Sequence, residues 1–288
     1  MKSIGFIGVG IMGSSMVRNL MKAGYELHIY ARHPEKIKEI VQEGAILHSS
    51  IQECVQRCDV VITIVGYPSD VEEVYFSEQG ILKHVKEGTY LIDMTTSSQA
   101  LAQRIYENAK MKNCHALDAP VTGGDSGAKN GTLTILVGGE ESACQKLMPI
   151  FNAMGKHIYY CGKAGQGQVM KLANQIMIAA TLSGVCEAIS FVEKHDIDPQ
   201  KMIDYLKDGA AGSRQLELLG NKIVKKDYAP GFFIKHFIKD MKLADQSAQE
   251  FNLDLSVLST VLQHFEKLAE LGYENDGTQR LIQYYQKD

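Results

Sequence analysis

Over the first ~160 residues, short runs of β-branched and apolar residues alternate with stretches whose apolar positions recur every three to four residues. The runs predict strands at 3–7, 26–30, 60–65, 89–93, 114–117, 132–137 and 157–160. The periodic stretches predict helices near 12–23, 34–43, 51–57, 70–75, 98–110 and 141–153. Such alternation predicts an α/β, Rossmann-type, doubly wound and mostly parallel sheet. Glycine pairs at 123–124 and 138–139 bracket the 132–137 run, which suits an antiparallel section added at the sheet edge.

After Gly165-Gln166-Gly167 the texture changes. From Gln168 to Lys194 the chain has no proline and one glycine, and its apolar residues keep helical spacing. A helix of about seven turns is expected there. Further helices are expected near 199–207, 213–225, 235–251 and 255–271, with no strand. Two domains follow: residues 1–163, and an all-α domain over 164–288. A cleft between them is the expected place for a ligand.

The glycines at 8, 10 and 13 sit where the first strand runs into the first helix and have G-x-G-x-x-G spacing. That is the spacing of a dinucleotide turn. Gly8 makes the bend, Gly10 admits the pyrophosphate, and Gly13 lets helix pack on strand. Ile11 and Met12 lie in the first helical turn, whose N–H groups face the phosphates. NAD-preferring sites place an acid about 20 residues later, on the ribose 2′-hydroxyl. Here Tyr30-Ala31-Arg32-His33 occupies that region, and the next acid is Glu35. Arg32, with Lys36 a turn further on, suits a 2′-phosphate, so NADP is expected over NAD. A solvated loop arginine is the other reading of Arg32.

Three further segments carry polar groups at strand or helix ends. In Asp118-Ala119-Pro120-Val121-Thr122-Gly123-Gly124, a hydroxyl and two glycine N–H groups can hold a small carboxylate, or the glycines simply bend the chain. In Asp93-Met94-Thr95-Thr96-Ser97, a hydroxyl can meet the cofactor, or Ser97 can cap the next helix. Lys171, Asn174 and Gln175 share one face of the long helix. A partly desolvated lysine can exchange protons with a substrate, although a surface lysine has the same local sequence. Lys239-Asp240 reads as an adjacent charge pair on a solvated helix face.

The net charge of −4 gives no reason to expect nucleic acid or an anionic membrane as partner. Apolar runs such as Val60–Val65 are strand-sized. The first strand starts at once, leaving no room for a signal peptide, and cytoplasmic location is expected. Six scattered cysteines without a C-x-x-C pair suit reduced, mostly buried thiols and no metal.

Four blocks together resemble the β-hydroxyacid dehydrogenases, which include 3-hydroxyisobutyrate dehydrogenase and tartronate semialdehyde reductase. They are Gly8-Val9-Gly10-Ile11-Met12-Gly13 with Met16 and Asn19-Leu20; Asp118 to Gly124 with Gly127-Ala128 and Gly131-Thr132-Leu133; Gly165-Gln166-Gly167 with Lys171-Leu172-Ala173-Asn174-Gln175; and Lys239-Asp240-Met241-Lys242-Leu243-Ala244. They span almost the whole chain in family order. The resemblance implies that Lys171 is the catalytic lysine and that Thr122, Gly123 and Gly124 bind the substrate carboxylate. It implies that Asn174 and Gln175 supply amides beside the lysine, and that Thr96 and Lys239 contact cofactor. Asp240 would be an acid at the domain interface and is grouped with the substrate residues. Many relatives have serine at 122 and asparagine at 175, so the threonine and glutamine here leave substrate size open. The expected reaction is NADP-dependent interconversion of a small β-hydroxy acid and its semialdehyde, in a homodimer or homotetramer. An imine reductase or a non-catalytic NADP-binding protein would share the scaffold. Those proteins generally lack the lysine, and Lys171 is present.

Overall fold

The computed structural model describes residues 1–286. The chain divides into two compact units, Met1–Lys171 and the remainder from Leu172.

The first unit is built on nine strands: β1 (Ser3–Ile7), β2 (Glu26–Tyr30), β3 (Ile46–Leu47), β4 (Val60–Thr63), β5 (Tyr90–Asp93), β6 (His115–Asp118), β7 (Val121–Thr122), β8 (Leu133–Gly138) and β9 (Gly155–Gly162). The order is β3-β2-β1-β4-β5-β6-β8-β7, and β9 also pairs with β8. From β3 to β6 every pairing is parallel. The order reverses between β1 and β4, and such a switch point leaves a crevice at the carboxyl ends of the strands. Strand periodicity explains the burial. Ile4, Phe6, Val60, Ile62, Tyr90 and Ile92 enter one apolar cluster, while Ile7, Val61 and Leu91 enter the other. A sheet covered on both faces requires such runs.

The expected antiparallel section is present, but it is not the edge. β8 runs antiparallel to β6 and β7 and parallel to β9, which lies beyond it. Two strands, β3 and β7, have only two residues each and leave no periodic signal. The expected helix at 34–43 is a 3₁₀ turn, Pro34–Lys36, and a short helix, Lys38–Gln42. They are separated at Ile37, whose φ of −120° is not helical. A helix at Gly124–Asn130 went unexpected because GDSGAKN has no apolar period.

The second unit is helical. The helix Gln166–Glu193 runs into it from the first unit. Leu172, Ala179, Leu182, Val185, Cys186 and Ile189 join Ile203, Phe237, Met241, Phe265 and Leu281 in its core. By length and composition alone that helix could cross a membrane. Residues 176–192 carry one charge, Glu187, and Ala179, Leu182, Cys186 and Ile189 of this stretch are buried in the core of the unit. The expected helix at 213–225 is present over residues 214–224, with a π-helical turn, Leu216–Gly220, leading into Asn221–Val224. Helices at Pro199–Leu206, Ile234–Gln249 and Ser256–Glu270 match their expected spans within a few residues.

Candidate active site

The glycine turn lies at the switch point. Gly8 has φ +100°, and a Cβ there would lie 2.0 Å from the Ile64 carbonyl oxygen. A Cβ on Gly13 would lie 2.0 Å from the Gly8 carbonyl oxygen, so helix and strand touch backbone to backbone. Nothing lies within 4 Å of the corresponding point on Gly10. Gly10 is the N-cap of the helix Ile11–Lys22, and no side chain caps it. The first-turn N–H groups are thus left to a ligand or solvent, and Ile11 is exposed beside half-buried Met12. This cradle fits a dinucleotide pyrophosphate.

Arg32 follows β2 and pairs with Asp70 at 2.9 Å while its side chain stays 60% exposed. The other oxygen of Asp70 accepts the Tyr67 N–H at 3.0 Å, at the start of the helix Pro68–Phe76. Arg32 is therefore neither free in solvent nor locked. An exposed pair of this kind contributes at most about 1 kcal/mol, which a phosphate can outcompete. Lys36 is exposed in the 3₁₀ turn.

The ends of β5 and β6 carry two buried acids. Asp93 accepts from the Thr63 hydroxyl at 2.8 Å and the Thr95 N–H at 3.1 Å. Burial pushes its carboxyl up to about 6, against the pull of the Thr95 and Thr63 hydrogen bonds, with nearby Asp118 adding to the rise. Burial also raises Asp118, opposed by the N–H groups of Gly165 and Gln168. Those donors lie 2.7 and 2.9 Å away, at the start of the long helix. Thr96 is half-buried in the turn after β5. Ser98, not Ser97, caps the helix Gln99–Lys110. The Ser97 N–H instead donates to the Gln168 side chain at 2.9 Å.

Thr122 ends β7, half-buried, opposite Thr134. Gly123 and Gly124 have φ of +126° and +63° and open the helix Gly124–Asn130. Asn19 donates to the Ala128 carbonyl at 2.7 Å, tying that helix to the dinucleotide helix. The partner of Asn19 lies 109 positions away, so local sequence carries no sign of the contact.

Lys171 is buried, with 7% of its surface exposed. The solvated-surface reading of this lysine is therefore excluded. On the same helix, Asn174 donates to the Gln175 carbonyl at 2.7 Å, and Gln175 donates to Asp240 at 2.6 Å. Lys239 meets Asp240 at 2.9 Å. This pair was expected on a solvated face, yet the two side chains are only 12% and 2% exposed. Asp240 packs with Phe237, Met241 and Ala244 on the buried face of its helix. Buried charge needs such partners.

Residues 3–162 match the NAD-binding domain of 6-phosphogluconate dehydrogenase, and residues 165–285 match the NAD-binding domain of NADP-dependent 3-hydroxyisobutyrate dehydrogenase. An uncharacterized oxidoreductase of Bacillus subtilis is 47% identical over 286 residues, covering 99% of each chain. The 2-hydroxy-3-oxopropionate reductase of Escherichia coli is 36% identical, covering 97% of this chain and 96% of its own. The solved structure of a Mycobacterium tuberculosis 3-hydroxyisobutyrate dehydrogenase with L-serine superposes with a TM-score of 0.92 at 26% identity, covering 100% of both chains.

Proposed function

The chain belongs to the β-hydroxyacid dehydrogenase family as an NAD(P)-dependent hydroxyacid dehydrogenase, and from that premise we propose that it interconverts a small β-hydroxy acid and its semialdehyde, using NADP(H) and Lys171. The observation that carries this reading is the buried Lys171, followed by an amide pair on the same helix. Bound nicotinamide supplies or accepts the hydride at the substrate carbon. In reduction, Lys171 Nζ gives a proton to the oxygen on which negative charge grows; in oxidation it takes that proton back. Thr122 and the N–H groups of Gly123 and Gly124 hold the carboxylate, so only an acid aldehyde is oriented for reaction. Asn174 orients the reacting oxygen or the carboxylate. Gln175, held by Asp240, keeps the Asn174 amide in one orientation.

Arg32 and Lys36 support NADP over NAD, because both are cationic and no acid stands between positions 30 and 33. The proposal includes a cytoplasmic homodimer or homotetramer. Met177 and Phe191, 70% and 64% exposed on the long helix, support association.

The test is NADPH and NADH oxidation with the purified chain against short semialdehydes, uncharged aldehydes and cyclic imines. Turnover confined to carboxylate-bearing aldehydes is expected. Turnover of cyclic imines alone would overturn the reading.

A further inference from the structure

We infer that Gln168 is a positioning residue of the active site: its buried side-chain amide locks the Thr95–Ser97 turn to the first turn of the helix that carries Lys171. The inference rests on the reading above, in which Lys171 donates the proton and Thr96 lies near the nicotinamide.

The geometry is specific. Gln168 has no exposed surface. Its carbonyl accepts the Ser97 N–H at 2.9 Å, and its amide N–H donates to the Thr95 carbonyl at 2.8 Å. Both backbone groups lie beyond the end of β5, where no strand ladder satisfies them. Its own backbone N–H reaches Asp118 at the end of β6. The neighbouring Gly167 allows this approach, since a Cβ there would lie 2.4 Å from the Leu136 carbonyl oxygen and 2.7 Å from Asp118. One residue therefore joins the ends of β5 and β6 to the helix pressed against β8.

Lys171 is three positions further on, one turn along the helix, so the clamp fixes where the lysine begins its reach. A leucine would fill the same volume, but only a primary amide can pin the N–H and the C=O of one turn at once. Gln168 touches no reacting atom in this scheme. Its contribution is the spacing between Thr96 and Lys171, on which hydride transfer and proton transfer both depend.

The test uses the full-length chain with Gln168→Met and the shorter Gln168→Asn, which keeps an uncharged amide but cannot reach both Thr95 and Ser97. Hydrogen–deuterium exchange is followed by mass spectrometry in peptides covering 94–99 and 163–171. Both peptides should exchange about tenfold faster in Gln168→Met, together, as expected for two lost buried hydrogen bonds. The β1 peptide should be unchanged. With the best semialdehyde found, kcat should fall by about 10–100-fold with little change in KM for NADPH. The primary isotope effect from deuterated NADPH should rise.

Wild-type exchange in both peptides overturns the inference. So does faster exchange with an unchanged kcat and isotope effect, because the clamp would then be structural only. Should Gln168→Met fail to fold, Gln168→Asn decides by the same readouts, with faster exchange expected at the Ser97 N–H, the amide that the Gln168 carbonyl protects. Lys171→Ala is measured beside them. If it is inactive while Gln168→Met is normal, the inference falls and the proton-donor reading stands. If Lys171→Ala keeps its turnover while Gln168→Met shows the paired exchange and the lowered kcat, the clamp stands and the proton-donor reading falls.

Discussion

Gln175 donates to Asp240 at 2.6 Å while its carbonyl receives the Asn174 N–H at 2.7 Å. A glutamine amide can be turned over by half a rotation, and here its two ends face an acceptor and a donor. Only one orientation satisfies both. The Asn174 amide is fixed in turn.

This coupling is measurable. Gln175→Leu and Asp240→Asn should each destabilise the protein in urea. Together they should cost less than the sum, with a coupling energy of about 1–3 kcal/mol, because Gln175→Leu removes the bond whose charge assistance Asp240→Asn removes. Additive losses would show that the two residues do not act as a pair.

Cofactor preference should follow Arg32. If Arg32 holds the 2′-phosphate as proposed, Arg32→Ala should lower NADPH affinity by about 10- to 100-fold. NADH affinity should hold. Asp70→Asn, which releases the guanidinium from its 2.9 Å ion pair, should leave NADPH binding intact or tighter. Fluorescence titration with both cofactors reads all three. Equal losses for NADPH and NADH in Arg32→Ala would remove the assignment.

The Asp93 carboxyl gives a pH signature. Its folded value is raised from 3.8 to about 6, so the folded state binds the proton more tightly than the unfolded state. The associated stability is complete below pH 3.8 and is lost as pH rises through about 6. The shift corresponds to roughly 3 kcal/mol as an upper bound. Asp93→Asn keeps an acceptor for Thr63 and Thr95 and has no charge to bury. Relative to wild type it should therefore gain stability between pH 4 and pH 7, in urea unfolding at each pH. Parallel pH profiles would mean that Asp93 is ionised without cost.

The first unit was legible because its strands carry two-sided apolar runs and its glycines stand at fixed offsets. Gly8 and Gly13 could be assigned from spacing, and each proves to have a backbone oxygen where a Cβ would sit. Lys171, Asn174 and Gln175 were legible as one helical face. Burial of Lys239 and Asp240 was not, because adjacent charges on a helix carry no sign of what packs on them. Asn19, Gln168 and Asp118 act through contacts across 109, 71 and 50 positions, respectively. Local pattern is blind to such distances. The helix at Gly124–Asn130 was missed for the opposite reason: it is short and polar, and tertiary contacts hold it.

Substrate charge should matter as much as substrate size. If Thr122, Gly123 and Gly124 hold a carboxylate, butyraldehyde should show kcat/KM at least about 10- to 100-fold below that of succinic semialdehyde. Thr122→Ala should narrow the gap by slowing the acid aldehyde alone. Comparable values for the two aldehydes would show that the loop does not select for carboxylate.

Lys171 decides the mechanism. If Lys171 is the proton donor proposed, its contribution belongs to the transition state, where charge develops on the substrate oxygen, and its removal should show in kcat. Lys171→Ala should lower kcat by roughly 10²–10⁴-fold, the usual range for a lost general acid. NADPH affinity should change little, because the pyrophosphate cradle at Gly8–Gly13 is built from another strand and helix. Lys171→Arg keeps the charge but holds its proton too tightly to donate, so it should not restore the rate. Circular dichroism and NADPH titration establish that both variants remain folded and competent to bind. Near-normal kcat in either folded variant would show that another group delivers the proton.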